Sequence, residues 1–313
     1  MDRDNLRVLI IKHGALGDFV LSVGPFTAIR EHHKNSIITL LTTLPYVEIA
    51  EKSGLFDQIW SDPRPPLWNI LMWVKIIRRL RSGRFDRVYD LQTSTRSNTY
   101  YKLLGINKPE WSGIAPGCSL PHNNPNRDKM HTIERQREQL RFAGIKNCTP
   151  SELSWLDENV SDLISRKNNT FPNVLIIAGG SPHRQNKRWP AHSYGQLANR
   201  LYKDGLQPIL IGTHSEKEVI DKIHQHCPES LNLCGCTSLS HIATLARQAK
   251  VAVGNDTGPM HITASVGCPT MVIFSDASDP SITLPRGPNV RYLQIKRMDD
   301  LMVEEVYSSL NFF

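Results

Sequence analysis

No apolar run in this sequence reaches the roughly 18 to 20 residues that a membrane-crossing helix needs, which excludes a helical integral membrane protein. No apolar leader with a cleavage site opens the chain either. Met1-Asp2-Arg3-Asp4-Asn5 runs straight into an apolar stretch, residues 6–12, so the expectation is a cytoplasmic protein without a secretory signal. Cysteine is sparse, with six in 313 residues. Cys118, Cys148, Cys227, Cys234, Cys236 and Cys268 are scattered, no C-x-x-C occurs, and Cys234-Gly235-Cys236 is the only close pair. That pattern argues against a zinc site or a disulfide framework and for free thiols.

What is present is globular. Hydrophobic residues make up 40% and charged residues 21%, and the length suits two domains of ordinary size. The formal charge of +7 points to an anionic partner: phosphate, acidic lipid or nucleic acid. No nucleic-acid-binding motif accompanies it.

The most informative stretch is VAVGNDTGPMHITASVGCPTMVIF, residues 251–274. Val251-Ala252-Val253 reads as a buried strand. Gly254-Asn255-Asp256-Thr257-Gly258-Pro259 is a cluster of turn formers. Residues 260–266 read as a helix, with Pro259 suited to its first turn and Gly267 to its end. Residues 270–274 are a second buried strand that closes a sheet. A helix start offers unpaired N–H groups and a partial positive charge, which suit a phosphate. Spacing alone leaves two readings open: an anion and sugar contact at Asp256-Thr257-Gly258, or a structural turn with an exposed acid.

The chain begins with a strand, Arg7-Val8-Leu9-Ile10-Ile11-Lys12, then the loop His13-Gly14-Ala15-Leu16-Gly17-Asp18 and a helix over 19–31. The dinucleotide fingerprint fails here. Only Gly14 and Gly17 are present, and the next strand, 37–41, ends in Thr42-Thr43 without a ribose-binding acid. An NAD-dependent enzyme is therefore disfavoured. Asp18 is either a helix-start acid or a carboxylate at the carboxyl end of a sheet, where α/β folds place ligands.

An α/β pattern continues. Residues 67–80 read as a helix with apolar residues on most faces and a basic end, Lys75, Arg78, Arg79, Arg81, Arg84 and Arg87. It is either a buried helix or an interfacial one that touches anionic lipid through residues 67–87. A composition change over 147–171 suggests a boundary, dividing the chain into 1–160 and 161–313, with the last helix expected to pack back on the N-terminal domain. A second α/β set starts at Val174, followed by Gly179-Gly180-Ser181 and the basic segment PHRQNKRWP, residues 182–190.

RVLIIKHGALGD (7–18), YDLQTSTRS (89–97), SPHRQNKRWP (181–190), GTHSEKE (212–218), CGCTSLSHIATLARQA (234–249) and VAVGNDTGPMH (251–261), in this order, resemble the ADP-heptose:lipopolysaccharide heptosyltransferases, glycosyltransferase family 9. The resemblance runs through nearly the whole chain. It implies an α/β fold of GT-B type, two Rossmann-like parallel-sheet domains facing a central cleft. The N-terminal domain would bind a lipid-linked anionic glycan, and the C-terminal domain a nucleotide-sugar, ADP-heptose. It implies inverting transfer without a metal or another cofactor, with which the lack of a clustered D-x-D agrees (Asp276 and Asp279 are three apart).

Carried over by residue, Asp18 matches the general base. Lys187 and Ser181 match the donor-phosphate loop, and Glu216 the acid on the ribose hydroxyls. Asp256 matches the acid near the transferred sugar, Thr257 and Gly258 the diphosphate contacts, and His261 follows in the motif. Gly14, Gly17 and Arg96 fall on the acceptor side. The segment 274–280 is one residue longer than the commoner family turn, and Gly179-Gly180 stands where many members have Pro-Gly. A non-catalytic nucleotide-sugar or carbohydrate-binding protein on the same fold is the competing expectation.

Overall fold

A computed structural model describes residues 5–165, 169–180 and 184–310. The chain forms two compact units, Met1–Ser151 and Glu152–Phe313.

The first unit is built on a six-stranded sheet of β1 (Arg7–Ile11), β2 (Ile37–Thr42), β3 (Gln58–Ser61), β4 (Arg87–Asp90), β5 (Glu110–Gly113) and β6 (Leu120–Pro121). The order is β3-β2-β1-β4-β5-β6, with every pairing parallel. Parallel strands covered by helices on both faces need near-continuous apolar runs. RVLII and IITLLT supply them, with only the first residue of each less than fully buried. Order reverses between β1 and β4, where Ile11 pairs with Asp90. The crevice at such a reversal is where open α/β sheets bind ligands.

The expected helix over 19–31 is two helices, Leu16–Leu21 and Val23–His32. Pro25 explains the break. It has no N–H for the carbonyl four residues back, and its ring would press on it. Ser22 takes up the slack: its N–H donates to Phe19 O at 3.0 Å and its hydroxyl to Asp18 O at 2.6 Å. The helix expected over 67–80 starts at Ile70 and ends at Ser82, capped by Asn69, which accepts from Met72 N–H at 3.2 Å.

The second unit repeats the plan with β7 (Asn173–Ile177), β8 (Gln207–Leu210), β9 (Leu231–Asn232), β10 (Ala249–Asn255), β11 (Thr270–Ser275) and β12 (Val290–Ile295), in the order β12-β11-β10-β7-β8-β9. Read from β9, this is the order of the first sheet, and the reversal falls between β7 and β10. Gly254 pairs with Ile177 there. A Cβ on Gly254 would lie 2.5 Å from Ile177 O and 2.7 Å from Met260 Sδ, so only glycine lets the two central strands and the next helix meet.

Two expectations change. Residues 270–274 do not close this sheet; β12 pairs outside β11. As an edge strand it has no fully buried residue, and its mixed sequence VRYLQI carries no strong apolar signal. The last helix, Val303–Leu310, belongs to its own unit's core. Val306 and Leu310 join Trp189, Tyr194 and Leu201, and the helix packs on Ala191–Lys203.

Candidate active site

In the first unit, polar side chains gather beyond β1 and β4. Lys12 and His13, directly after β1, are 4% exposed, and Asp90, the last residue of β4, is fully buried. Lys12 Nζ donates to Leu91 O at 3.4 Å. Burial lowers the ammonium's pKa; Asp18 and Asp90 oppose that shift, while Arg135 and Arg127 reinforce it. Gly14 holds the loop in a left-handed conformation (φ 115°). A Cβ there would lie 2.2 Å from the Tyr46 ring, so any side chain would displace Tyr46. Gly17 is buried inside the short helix that carries Asp18.

Asp18 is partly exposed, and its Oδ1 accepts from the Thr132 hydroxyl at 3.3 Å. Arg135 Nη2 donates to the same hydroxyl at 3.4 Å. Tyr46 lies within reach of its field: burial first, then the Asp18 charge, raises the phenol's pKa. Arg127 is buried, donating to His122 Nδ1 at 3.0 Å and Thr93 Oγ1 at 2.7 Å. Burial, then Arg135, pushes its guanidinium down to about 10. The region around Asp18 thus holds three cations, Lys12, Arg127 and Arg135, a setting suited to an anionic molecule.

A frame holds this cluster. His13 Nε2 lies 2.9 Å from Asp62 Oδ2, the Tyr100 hydroxyl donates to the same oxygen, and Arg64 N–H donates to Oδ1 at 2.8 Å. Burial would raise the Asp62 carboxyl, but these hydrogen bonds hold it below its ordinary value. Arg96 is a clamp in the same frame. Its Nη2 donates to Pro65 O at 2.8 Å and its guanidinium sits 5.0 Å above the Trp73 ring.

Asp90 behaves in the opposite sense. Thr93 N–H donates to its Oδ1 at 2.8 Å, yet burial pushes the carboxyl up from 3.8 to about 6. A carboxyl raised on folding costs stability once ionised. Between pH 4 and 6 the folded chain binds the extra proton, so stability falls as pH rises through that window and is level above it. Asp90→Asn keeps the acceptor for Thr93. It is expected to be more stable than the parent at pH 8, by up to about 3 kcal/mol at roughly 1.4 kcal/mol per pKa unit, and indistinguishable near pH 4. Thermal melts at the two pH values check this; an equal gain at both would mean that ionisation is not the cause.

In the second unit, the corresponding ends of β7 and β10 carry the predicted donor residues, with Ser181 outside the described residues. Glu216 grips the loop after β7. Oε1 accepts from Gly180 N–H at 2.7 Å, and Oε2 from Thr213 N–H at 2.8 Å and Thr213 Oγ1 at 2.9 Å. A Cβ on Gly179 would lie 1.9 Å from Oε1, so Gly179 is what allows the carboxylate so close. Lys187 Nζ donates to Asp256 Oδ2 at 2.9 Å, with both side chains largely buried. Ser278 Oγ donates to the same oxygen at 2.6 Å, so the long turn after β11 reaches the pair.

The helix Gly258–Ser265 starts immediately after Asp256 and Thr257. Its N-cap residue, Thr257, makes no side-chain bond to the helix, and Pro259 has no N–H. By position, the Thr257 and Gly258 N–H groups are among those a helix start leaves without carbonyls. His261 is 5% exposed, beneath this surface.

Asn255, treated from sequence only as a turn former, is the hub of this half. Its Oδ1 accepts from Trp189 N–H and Tyr194 Oη, both at 2.9 Å, and its Nδ2 donates to Ala178 O at 2.8 Å and Gly179 O at 3.2 Å. It ties the Lys187 segment to both central strands.

Two Rossmann-type units, with polar residues collected at the strand reversals and a lysine–aspartate pair beside a helix start, have the architecture of the GT-B fold. The profile of "Glycosyltransferase family 9 (heptosyltransferase)" matches residues 73–306. The Salmonella typhimurium protein lipopolysaccharide heptosyltransferase 2 is 30% identical over 311 residues, covering 93% of this chain and 88% of its own. Among solved structures, a family 9 glycosyltransferase from Veillonella parvula superposes with a TM-score of 0.83 at 18% identity, over 100% of this chain and 98% of its own. An Escherichia coli heptosyltransferase solved with ADP-2-deoxy-2-fluoro heptose superposes with a TM-score of 0.75 at 18% identity, over 97% and 99%. The chain belongs to glycosyltransferase family 9, the heptosyltransferases, and is an enzyme.

Proposed function

We propose that this enzyme transfers a heptose from ADP-heptose to a lipid-linked lipopolysaccharide core acceptor, with inversion at the anomeric carbon, on the cytoplasmic side of the inner membrane. The observation that carries this is the Lys187–Asp256 pair at 2.9 Å beside the Thr257–Gly258 helix start. A diphosphate brought to that helix start meets backbone N–H groups, the helix dipole and an ammonium group. By the family resemblance, Ser181 and His261 take part in donor binding as well. Glu216 holds the ribose hydroxyls: of about four acceptor directions on its two oxygens, three are taken by Gly180 N–H, Thr213 N–H and the Thr213 hydroxyl, so it accepts one ribose hydroxyl directly and a second when the Thr213 hydroxyl turns to Ser215 Oγ at 2.8 Å.

The acceptor belongs to the first unit. Gly14 leaves room for Tyr46 beside the loop that leads to Asp18, Gly17 is buried in the helix that carries Asp18, Arg96 holds the adjoining Pro65 turn, and Lys12, Arg127 and Arg135 suit its anionic groups. Asp18 takes the proton of the acceptor hydroxyl as that oxygen attacks the anomeric carbon. The bond from that carbon to the diphosphate oxygen breaks, and a single displacement inverts the centre. Charge that develops on the departing diphosphate is stabilised by Lys187 and the Thr257–Gly258 backbone. The heptosyltransferase relatives and the sugar-nucleotide complex of one structural neighbour support the donor.

The test is incubation with ADP-heptose and lipopolysaccharide core acceptor, reading ADP release and the mass of the product. ADP and a heptose-extended acceptor are expected together. Turnover of a UDP- or GDP-sugar instead would overturn the donor, and no release from any nucleotide-sugar would overturn the reaction.

A further inference from the structure

The helix Ile70–Ser82 buries one face and leaves the other bare. Trp73, Ile76, Ile77 and Leu80 are buried. At 3.6 residues per turn, Leu71, Lys75 and Arg78 fall opposite that buried face and Val74 and Arg81 beside it, while Ile70 lies on the side of Ile77 but is exposed at the helix start. Leu67 is 77% exposed, Trp68 83%, Ile70 70% and Leu71 78%. Single exposed apolar side chains are ordinary, whereas a contiguous group on a monomer marks an interaction site.

Polarity on this bare side changes along the axis. The apolar residues occupy the first turn of the helix and the bend before it, and Lys75, Arg78, Arg81 and Arg84 follow, all exposed. From Ile70 to Arg81 is about 16 Å at a rise of roughly 1.5 Å per residue. An interfacial helix lying flat separates apolar from charged residues around its circumference. Here the separation is end to end, so the apolar bend leads and the cations trail.

The bend is held in shape before any partner arrives. Pro66 O accepts from Asn69 N–H at 3.0 Å and from Trp73 Nε1 at 3.2 Å, while Arg96 holds Pro65 O. Preorganisation lowers the ordering cost of binding. Among the described residues, no carboxylate pairs with Lys75, Arg78 or Arg84, so their charge stays unneutralised. An apolar tip followed by unpaired cations matches a bilayer with an anionic surface, acyl chains inside and phosphates above.

We infer that the bend at residues 66–71 enters the interfacial layer of an anionic bilayer, bend first, with Lys75, Arg78, Arg81 and Arg84 on its phosphates. This rests on the proposed lipid-linked acceptor and deepens it by naming the surface that meets the membrane.

The experiment uses the full chain with no donor or acceptor. Vesicles of phosphatidylglycerol and phosphatidylethanolamine are compared with phosphatidylcholine vesicles by co-sedimentation. Binding to the anionic vesicles only, weakened by salt, is expected. Lipids brominated in the acyl chain should quench tryptophan fluorescence, and Trp68→Phe should abolish that quenching. The pair Arg78→Gln and Arg84→Gln should weaken vesicle binding at least tenfold, since each cation near such a surface contributes roughly fivefold. Leu67→Ser with Leu71→Ser should do the same, and both pairs should leave transfer to a de-acylated, water-soluble acceptor unchanged.

Equal binding to both vesicle types, no binding, or quenching that survives Trp68→Phe would overturn the inference. So would a dimer in sedimentation velocity that Leu71→Ser dissolves, because the patch would then belong to a second copy. Failure to transfer heptose to any acceptor would strike the proposed function instead, and vesicle binding is read without it.

Discussion

Asp18→Asn is expected to lower transfer by about a hundredfold to ten-thousandfold, the usual range for losing a positioned general base, while ADP affinity stays nearly unchanged. The asparagine keeps the shape, and its amide oxygen can still accept from the Thr132 hydroxyl that now lies 3.3 Å from Asp18. What it loses is the capacity to take a proton. Single-turnover rates with saturating donor and acceptor measure the first effect, and calorimetric titration with ADP the second. Turnover at the parent rate would remove Asp18 from the base role. A matching loss of ADP affinity would mean that the substitution had disturbed the donor side as well.

Lys187→Met should cost about a hundredfold to a thousandfold in transfer, the scale of removing one preorganised donor from a developing anion, and should weaken ADP binding. The side chain spans from the segment before Trp189 to Asp256, so a purely structural role is a real competitor. The two separate cleanly. A phosphate contact predicts that ADP affinity falls while adenosine affinity and the melting temperature hold; a structural strut predicts that all three fall. Asp256→Asn in the same background isolates the pair, because the lysine–aspartate coupling is absent from both single variants and the double one. Unchanged ADP affinity in Lys187→Met would defeat the phosphate assignment.

Much of this was legible in the order of residues. The central strands β1, β7, β10 and β11 are buried on both faces, and that burial forces uninterrupted apolar runs that a reader can see. The turn after β10 announces itself because it gathers turn formers, with Pro259 suited to the first turn of a helix. The resemblance of six separated motifs to one family located Asp18, Lys187, Glu216 and Asp256. The edge strand β12 was invisible because one-sided burial leaves a mixed sequence, and the break at Ser22 followed from Pro25 but competed with a continuous apolar pattern.

The sequence by itself determined the fold class and the family and singled out the residues proposed to carry the chemistry, because all three are written in local patterns of burial, backbone freedom and motif order. Tertiary structure alone decided what those residues touch. His13 and Asp62 are 49 positions apart and Lys187 and Asp256 69 apart, and no local pattern encodes pairings at such separations. Asn255 looked like a turn former until four hydrogen bonds made it the hub between Trp189, Tyr194 and the end of β7. The helix Ile70–Ser82 looked apolar on most faces; only packing against the first sheet showed which face is covered and which stays bare. Burial and charge at a point are sums over neighbours that the chain brings together by folding, so the rise of Asp90 and the crowding of Lys12, Arg127 and Arg135 around Asp18 emerge only in three dimensions.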